Sequence, residues 1–156
     1  LHAEKPELRS DEPCEIVKVA AKTFCERIRK PVVVEDSGLF IEALKDFPGT
    51  CTRYVYSRIG NSGILRLMKG VKNRRCWYKS AIGYCKPKEE PVCFLGSEEG
   101  KIAKAEKGGG GWGQDPIFVP KGKSRTYGEL SKLNDTHFFR KLAIEKLKDY
   151  LVNKEK

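Results

Sequence analysis

The sequence predicts an α/β fold, and three observations predict it. Residues 15 to 29 and 138 to 152 repeat apolar side chains at helical spacing. Residues 31 to 34 read Pro-Val-Val-Val, a short unbroken β-branched run that suits a strand covered on both faces. Residues 75 to 85 and 91 to 96 read as paired strands joined by Lys-Pro-Lys-Glu-Glu.

The first helix would bury Ile16, Val19, Ala20, Phe24 and Ile28. Asp11, Glu12 and Pro13 suit its start: acids meet the positive end of the dipole, and proline's fixed φ suits a first turn. The valine strand runs into Glu35-Asp36-Ser37-Gly38, read as two acids and a turn. Ligands in α/β sheets sit at such strand ends. A second helix is expected over 62 to 69, with Asn61 or Ser62 as cap and Gly70 as stop. Another short strand surrounds Ile102. The four glycines at 108 to 111 form either a mobile loop or a place of close backbone approach. Ile117-Phe118-Val119 is a further strand. The last helix carries Phe139, Leu142, Ala143, Leu147, Tyr150 and Leu151 on one side. Of Trp77 and Tyr78, alternation puts one in the core and the other on the surface. With no internal repeat and no linker, residues 1–156 read as a single domain.

Apolar residues make up 39% and charged residues 33%, a globular composition. No apolar run approaches the roughly 18 residues of a membrane span, and residues 1 to 5 hold no signal core. The expected location is therefore cytoplasmic, with no membrane partner. The net charge of +10 favours anionic partners, polyphosphate or nucleic acid, but the basic residues are spread along the chain. None of the six cysteines forms a CxxC pair, so buried free thiols are expected rather than a zinc or redox motif.

The chemistry centres on Glu35-Asp36. Adjacent carboxylates offer hard oxygen ligands, which Mg²⁺ prefers, and one of them could polarise a water. Other segments follow: Phe47-Pro48-Gly49, Gly96, Gly100-Lys101-Ile102, Gly111-Trp112-Gly113-Gln114-Asp115-Pro116-Ile117-Phe118, and Thr126-Tyr127-Gly128-Glu129-Leu130. In this order and spacing the chain resembles the inosine triphosphate pyrophosphatase family, the non-standard purine NTP pyrophosphatases. Residues 35 to 42 and Tyr54-Val55-Tyr56 look like archaeal members.

The resemblance implies a long twisted mixed sheet flanked by helices, with a nucleotide cleft between two lobes, usually in a homodimer. It implies Mg²⁺-dependent hydrolysis of ITP, dITP or XTP to the monophosphate and pyrophosphate. Asp36 matches the catalytic acid that holds Mg²⁺ and activates water, with Ser37 and Gly38 beside it at the substrate. Glu7 matches a second metal-linked carboxylate. Arg53 falls where a basic residue lies near the nucleotide. Residues 112 to 115 match the base loop, in which Trp112 stacks on the purine, Asp115 orients it, and Gly113 and Gln114 lie between. Arg140 matches an arginine that contacts the 6-oxo group, and His137 stands near it.

The chain also departs from the family pattern. Nothing matches the opening strand and Thr/Ser-Gly/Ser-Asn-x-x-Lys phosphate loop, and Leu1 stands where the family's second strand begins. Without that loop, weak binding and slow turnover are expected. Phe138 and Phe139 occupy the positions of the late Ser-His, which Thr136-His137 would restore only through a local shift. Gln114 replaces the usual Tyr or Trp, and Ala20 a substrate-contacting lysine. The reading from another class is a non-catalytic, basic relative that binds nucleotide or nucleic acid. For the leading reading, nucleic acid is not an expected partner.

Overall fold

The computed structural model describes residues 8–130 and 137–154. In chain order its elements are α1 (Pro13–Ile28), β1 (Val32–Ile41), β2 (Pro48–Gly49), α2 (Thr52–Leu67), β3 (Arg75–Cys85), β4 (Val92–Ile102), β5 (Phe118–Pro120), α3 (Tyr127–Leu130) and α4 (Phe138–Lys154). The strands form one sheet in the order β2-β1-β3-β4-β5. The α/β class holds. Every described pairing is antiparallel, whereas the resemblance implies a mixed sheet.

The sheet is built on the long β3–β4 hairpin, whose register runs from Tyr84↔Val92 to Arg75↔Lys101. The separate strands expected at 91 to 96 and around Ile102 are one strand. Its polar, glycine-containing middle resembles a turn in sequence, but β3 stays unbroken opposite it. Gly96 is there because α4 lies against it: a Cβ would come 1.9 Å from the Phe139 carbonyl oxygen. On the other face, a Cβ on Gly83 would come 2.3 Å from the Val17 carbonyl oxygen of α1. Helices thus cover both faces, and neighbouring residues of a strand point to opposite helices.

Three expectations are corrected. First, β1 does not end at Val34. It continues through Glu35, Asp36, Ser37 and Gly38 to Ile41, paired with β3 from Val32↔Cys85 to Ile41↔Cys76. Gly38 is not a turn residue; a Cβ there would come 2.2 Å from the Gly49 carbonyl oxygen of β2. Nor is the valine run covered on both faces, since Val33 is 54% exposed. Second, α2 begins ten residues before Ser62 (at Thr52) and is broken at Gly60 (φ 59°, ψ −169°). Asn61 does not cap the second half with its oxygen. Its Nδ2 donates to the Gly113 carbonyl at 3.0 Å, while its Oδ1 is buried without a partner. Third, Cys14 and Cys93 are joined in a disulfide between α1 and β4, while Cys25, Cys51, Cys76 and Cys85 are free.

The first and last helices keep their expected places with adjusted faces. In α1 the buried side is Pro13, Ile16, Val17, Ala20, Ala21 and Cys25, and Val19 is exposed. In α4 only Phe139 and Ala143 are fully buried. The main core lies between the sheet and α2, α3 and α4, where Leu39, Ile64, Met68, Tyr78, Phe118 and Tyr127 meet. Tyr78 is thus the core member of the Trp77–Tyr78 pair. No helix of the described residues is long and apolar enough to cross a membrane.

Candidate active site

A cleft of about 600 Å³ lies beside β1. Its walls come from Glu35, Asp36, Ser37 and Gly38 of β1, Thr52, Arg53 and Tyr56 of α2, Tyr78 of β3, the loop at 112 to 115, and His137, Phe139 and Arg140. Apart from Glu7, which lies outside the described residues, every residue expected at the site lines this cleft.

The β1 wall is fixed by Thr52. Its hydroxyl donates to the Gly49 carbonyl at 2.6 Å and accepts from the Leu39 N–H at 2.8 Å. This satisfies a strand N–H on the side away from β3 and aligns the start of α2, which carries Arg53 and Tyr56 into the cleft. Pairing with β2 covers only Leu39 and Phe40. Among the described residues, the outer edge of β1 from 32 to 38 is therefore unpaired by any strand. Glu35 and Ser37 share the face of Ser80 and α4, and Asp36 takes the opposite face. The cleft reaches both faces around this open edge.

Arg140 is held near the start of α4. Its Nε donates to Glu35 Oε1 at 3.2 Å and its Nη2 to Ser37 Oγ at 2.9 Å. Ser80 Oγ also donates to Glu35 Oε1, at 2.8 Å. The opening N–H groups of α4 find tertiary acceptors. The Phe139 N–H donates to Glu98 Oε2 at 3.3 Å and the Phe138 N–H to the Tyr127 hydroxyl at 3.4 Å. Tyr127 donates to the same Glu98 oxygen at 2.5 Å, and burial followed by that hydrogen bond raises its pKa.

Asp115 organises the base loop. It is 1% exposed. Its Oδ1 accepts from the Tyr78 hydroxyl at 3.2 Å, and its Oδ2 accepts from the Trp112 N–H at 2.6 Å. His137 Nε2 lies 2.9 Å from Oδ2. Burial, then the Asp115 charge, pushes the Tyr78 pKa well up, so the phenol stays a donor at neutral pH. Tyr78 is wedged between Phe118 (4.2 Å between ring centroids) and Phe139 (4.9 Å). Asp115 therefore orients its own loop, and Trp112 projects from that loop 79% exposed. Of the two phenylalanines in the late Ser-His positions, Phe139 is buried at the cleft wall and Phe138 is exposed; His137, just before them, brings an imidazole to the cleft.

Tyr56, Thr52, Tyr78 and Phe139 are cleft residues that sequence reasoning did not single out. Arg53 and Tyr56 share a helix face three residues apart, a signal available only once a helix is recognised there. Tyr78 gave only a strand alternation, which left open whether it or Trp77 is the core residue.

Residues 1–150 match the Ham1 family. A dITP/XTP pyrophosphatase of Methanopyrus kandleri is 44% identical over 151 residues, covering 95% of this chain and 79% of the relative. One of Korarchaeum cryptofilum is 45% identical over 146 residues, covering 94% and 78%. The solved structure of the Staphylococcus aureus Ham1 protein superposes with a TM-score of 0.81 at 27% identity, covering 99% of this chain and 82% of that one. A match over nearly the whole chain, close archaeal relatives and a superposable fold agree: this chain belongs to the Ham1 family.

Proposed function

We propose that this chain hydrolyses non-standard purine nucleoside triphosphates (ITP, dITP and XTP) to the monophosphate and pyrophosphate, with Mg²⁺ as cofactor. The observation that carries the reading is the composition of one cleft. A carboxylate at an open strand edge, two arginines and an exposed indole on an anchored loop line the same cavity. The relatives named above are dITP/XTP pyrophosphatases.

The donor set suits a hard divalent ion. Asp36 and Glu35 bring carboxylate oxygens to the cleft wall, and the described residues hold no cluster of three such groups. Asp36 would hold Mg²⁺, with Glu7 as the second carboxylate. When bound, the ion would neutralise phosphate charge and lower the pKa of water. Asp36 would accept the proton of the attacking water at its carboxylate. Arg53 would oppose the charge that develops on the phosphate oxygens, and Arg140 would contact the 6-oxo group of the base. Trp112 would stack on the purine, with Gly113, Gln114, Asp115 and His137 shaping the base end. Ser37 and Gly38 would border the phosphates. A homodimeric state and a cytoplasmic location belong to the same proposal; the molar mass in solution, measured by light scattering, tests the former.

The deciding experiment measures pyrophosphate release from ITP, dITP and XTP with Mg²⁺ and with chelator. Activity that requires the metal and is abolished in Asp36→Asn, with the circular dichroism of the wild type, is expected. The amide can neither bind the cation as an anion nor take the proton. Near-normal turnover by Asp36→Asn would sink the assignment.

A further inference from the structure

The basic residues are spread along the sequence, but the fold gathers many of them. Residues 66 to 75 and 121 to 125 contain lysines and arginines and no acid. The pairing of β3 and β5 with β4 brings both segments to one end of the sheet. A groove of about 400 Å³ lies there. It is lined by Lys72, Arg74, Arg75, Lys101, Lys121 and Lys123, with Glu99 as the one acid among the described lining residues.

Three features set this groove apart from a solvated basic surface. Arg75 and Lys101 stand directly opposite each other in the β3–β4 register, an arrangement of like charges that costs stability. Arg74 donates to the carbonyls of Ile102 at 2.7 Å, Met68 at 2.9 Å and Ala103 at 2.6 Å, which satisfies its hydrogen bonds and leaves its charge uncancelled. Glu99 serves two cations, Arg75 Nε at 2.9 Å and Lys121 Nζ at 2.6 Å, and Glu42 stands 3.9 Å from Arg75 Nη1. The cations therefore outnumber the acids that meet them. The same face also offers an aromatic surface. α1 lies over its Gly83 end. Toward Arg75, alternation puts Trp77 and Lys79 of β3 beside Ser97, Glu99 and Lys101 of β4. Ser97 and Lys101 are exposed, Trp77 is half-buried, and the Arg75 guanidinium carbon lies 5.4 Å from the centroid of the Trp77 ring.

We propose that this face binds single-stranded nucleic acid, with phosphates along the cations and a base against Trp77 and Arg75. Neighbouring strands are about 4.8 Å apart, so cations on β3, on β4 and after β5 make a row across the end of the sheet. A row of cations beside an indole suits a phosphate chain whose bases are free to stack. An acidic peptide would use the row and not the indole, and a duplex keeps its base faces inside the stack. Nucleic acid was not an expected partner, because the basic residues look dispersed until β3, β4 and β5 pair. The proposal does not depend on the reaction described above, since neither Asp36 nor the base loop takes part in it.

The test titrates a dye-labelled oligothymidylate of about twelve nucleotides with the full chain, read by fluorescence anisotropy over a range of salt. Two triple variants are compared with the wild type. Lys72→Gln/Lys101→Gln/Lys123→Gln removes three exposed cations of the groove. Lys18→Gln/Lys30→Gln/Lys148→Gln removes three exposed cations elsewhere, so both variants lose the same net charge. The groove triple should bind about tenfold more weakly at about 0.1 M salt, with a log–log salt slope shallower by about two. The control triple should stay within about threefold of the wild type. Trp112→Phe leaves Trp77 as the sole indole, and the strand should quench its emission. Equal losses in the two triples, or unchanged binding in the groove triple, overturn the proposal. Displacement of the strand by IMP also overturns it, by placing the strand in the cleft. Unchanged Trp77 emission, with polyglutamate or a duplex bound as tightly as the strand, overturns it in favour of a site for polyanions in general.

Discussion

Asp115 is the side chain on which the base end of the cleft depends. It meets a buried phenol, a backbone N–H and an imidazole with two oxygens. Removing it strands several donors at once, each at about 1–3 kcal/mol. Asp115→Ala should lower stability by about 2–4 kcal/mol in denaturant unfolding. It should also raise KM more than it lowers kcat, because Trp112 loses its anchor while Asp36 is untouched. Asp115→Asn keeps one acceptor oxygen and should recover part of the stability. Equal stability of the wild type and Asp115→Ala would remove Asp115 from this role. That role was not readable from the sequence. The motif placed Asp115 in the right loop, but an acid in a loop reads as ligand-facing, and only burial shows that it faces inward.

At the scale of elements, the short helix α3 owes its start to a reciprocal cap. The Thr126 N–H donates to Glu129 Oε2 at 2.8 Å, and the Glu129 N–H donates to Thr126 Oγ1 at 3.3 Å. The Thr126 N–H, as the first cause, holds the Glu129 carboxyl below its usual range. The folded pKa lies below the unfolded one. The cap therefore contributes above the unfolded value, and its contribution is lost as pH falls through the folded one. Urea unfolding of wild type and Glu129→Gln should diverge at neutral pH and begin to converge only as pH falls below the ordinary Glu value of about 4.3. A constant difference across pH would refute the cap's charge dependence. The Thr126-x-x-Glu129 capping box is a local pattern, though in the sequence it counted only toward the family resemblance. The hairpin and α4 were legible because their patterns repeat within their own length. The end of β1 and the start of α2 were not. Gly38 imitates a turn but serves β2, which lies ten residues on. The first half of α2 exposes Tyr54, Tyr56 and Ile59, so it shows no apolar face to read.

Across the whole molecule, α1 is tied to β4 by Cys14–Cys93, two residues 79 apart in sequence. No local spacing announces such a pair, which is why free thiols were expected. Closing so long a loop restricts the unfolded chain, so Cys14→Ser should cost about 2–4 kcal/mol in denaturant unfolding. A reductant should lower the wild type toward the variant and leave the variant unchanged. Equal stability with and without reductant would mean that the bond does not form in solution.

The open edge of β1 has a consequence for amide hydrogens. The Leu39 N–H points away from β3, toward Thr52. Strand periodicity then turns the N–H groups of Ser37 and Glu35 the same way, and those of Asp36 and Gly38 toward β3. Deuterium uptake along this one strand should therefore alternate, fast at 35 and 37 and slow at 36 and 38. A nucleotide seated in the cleft would slow the fast pair and leave the slow pair as they were. Four consecutive amides would thus act as two clocks, one timing the occupancy of the cleft and the other the opening of the sheet.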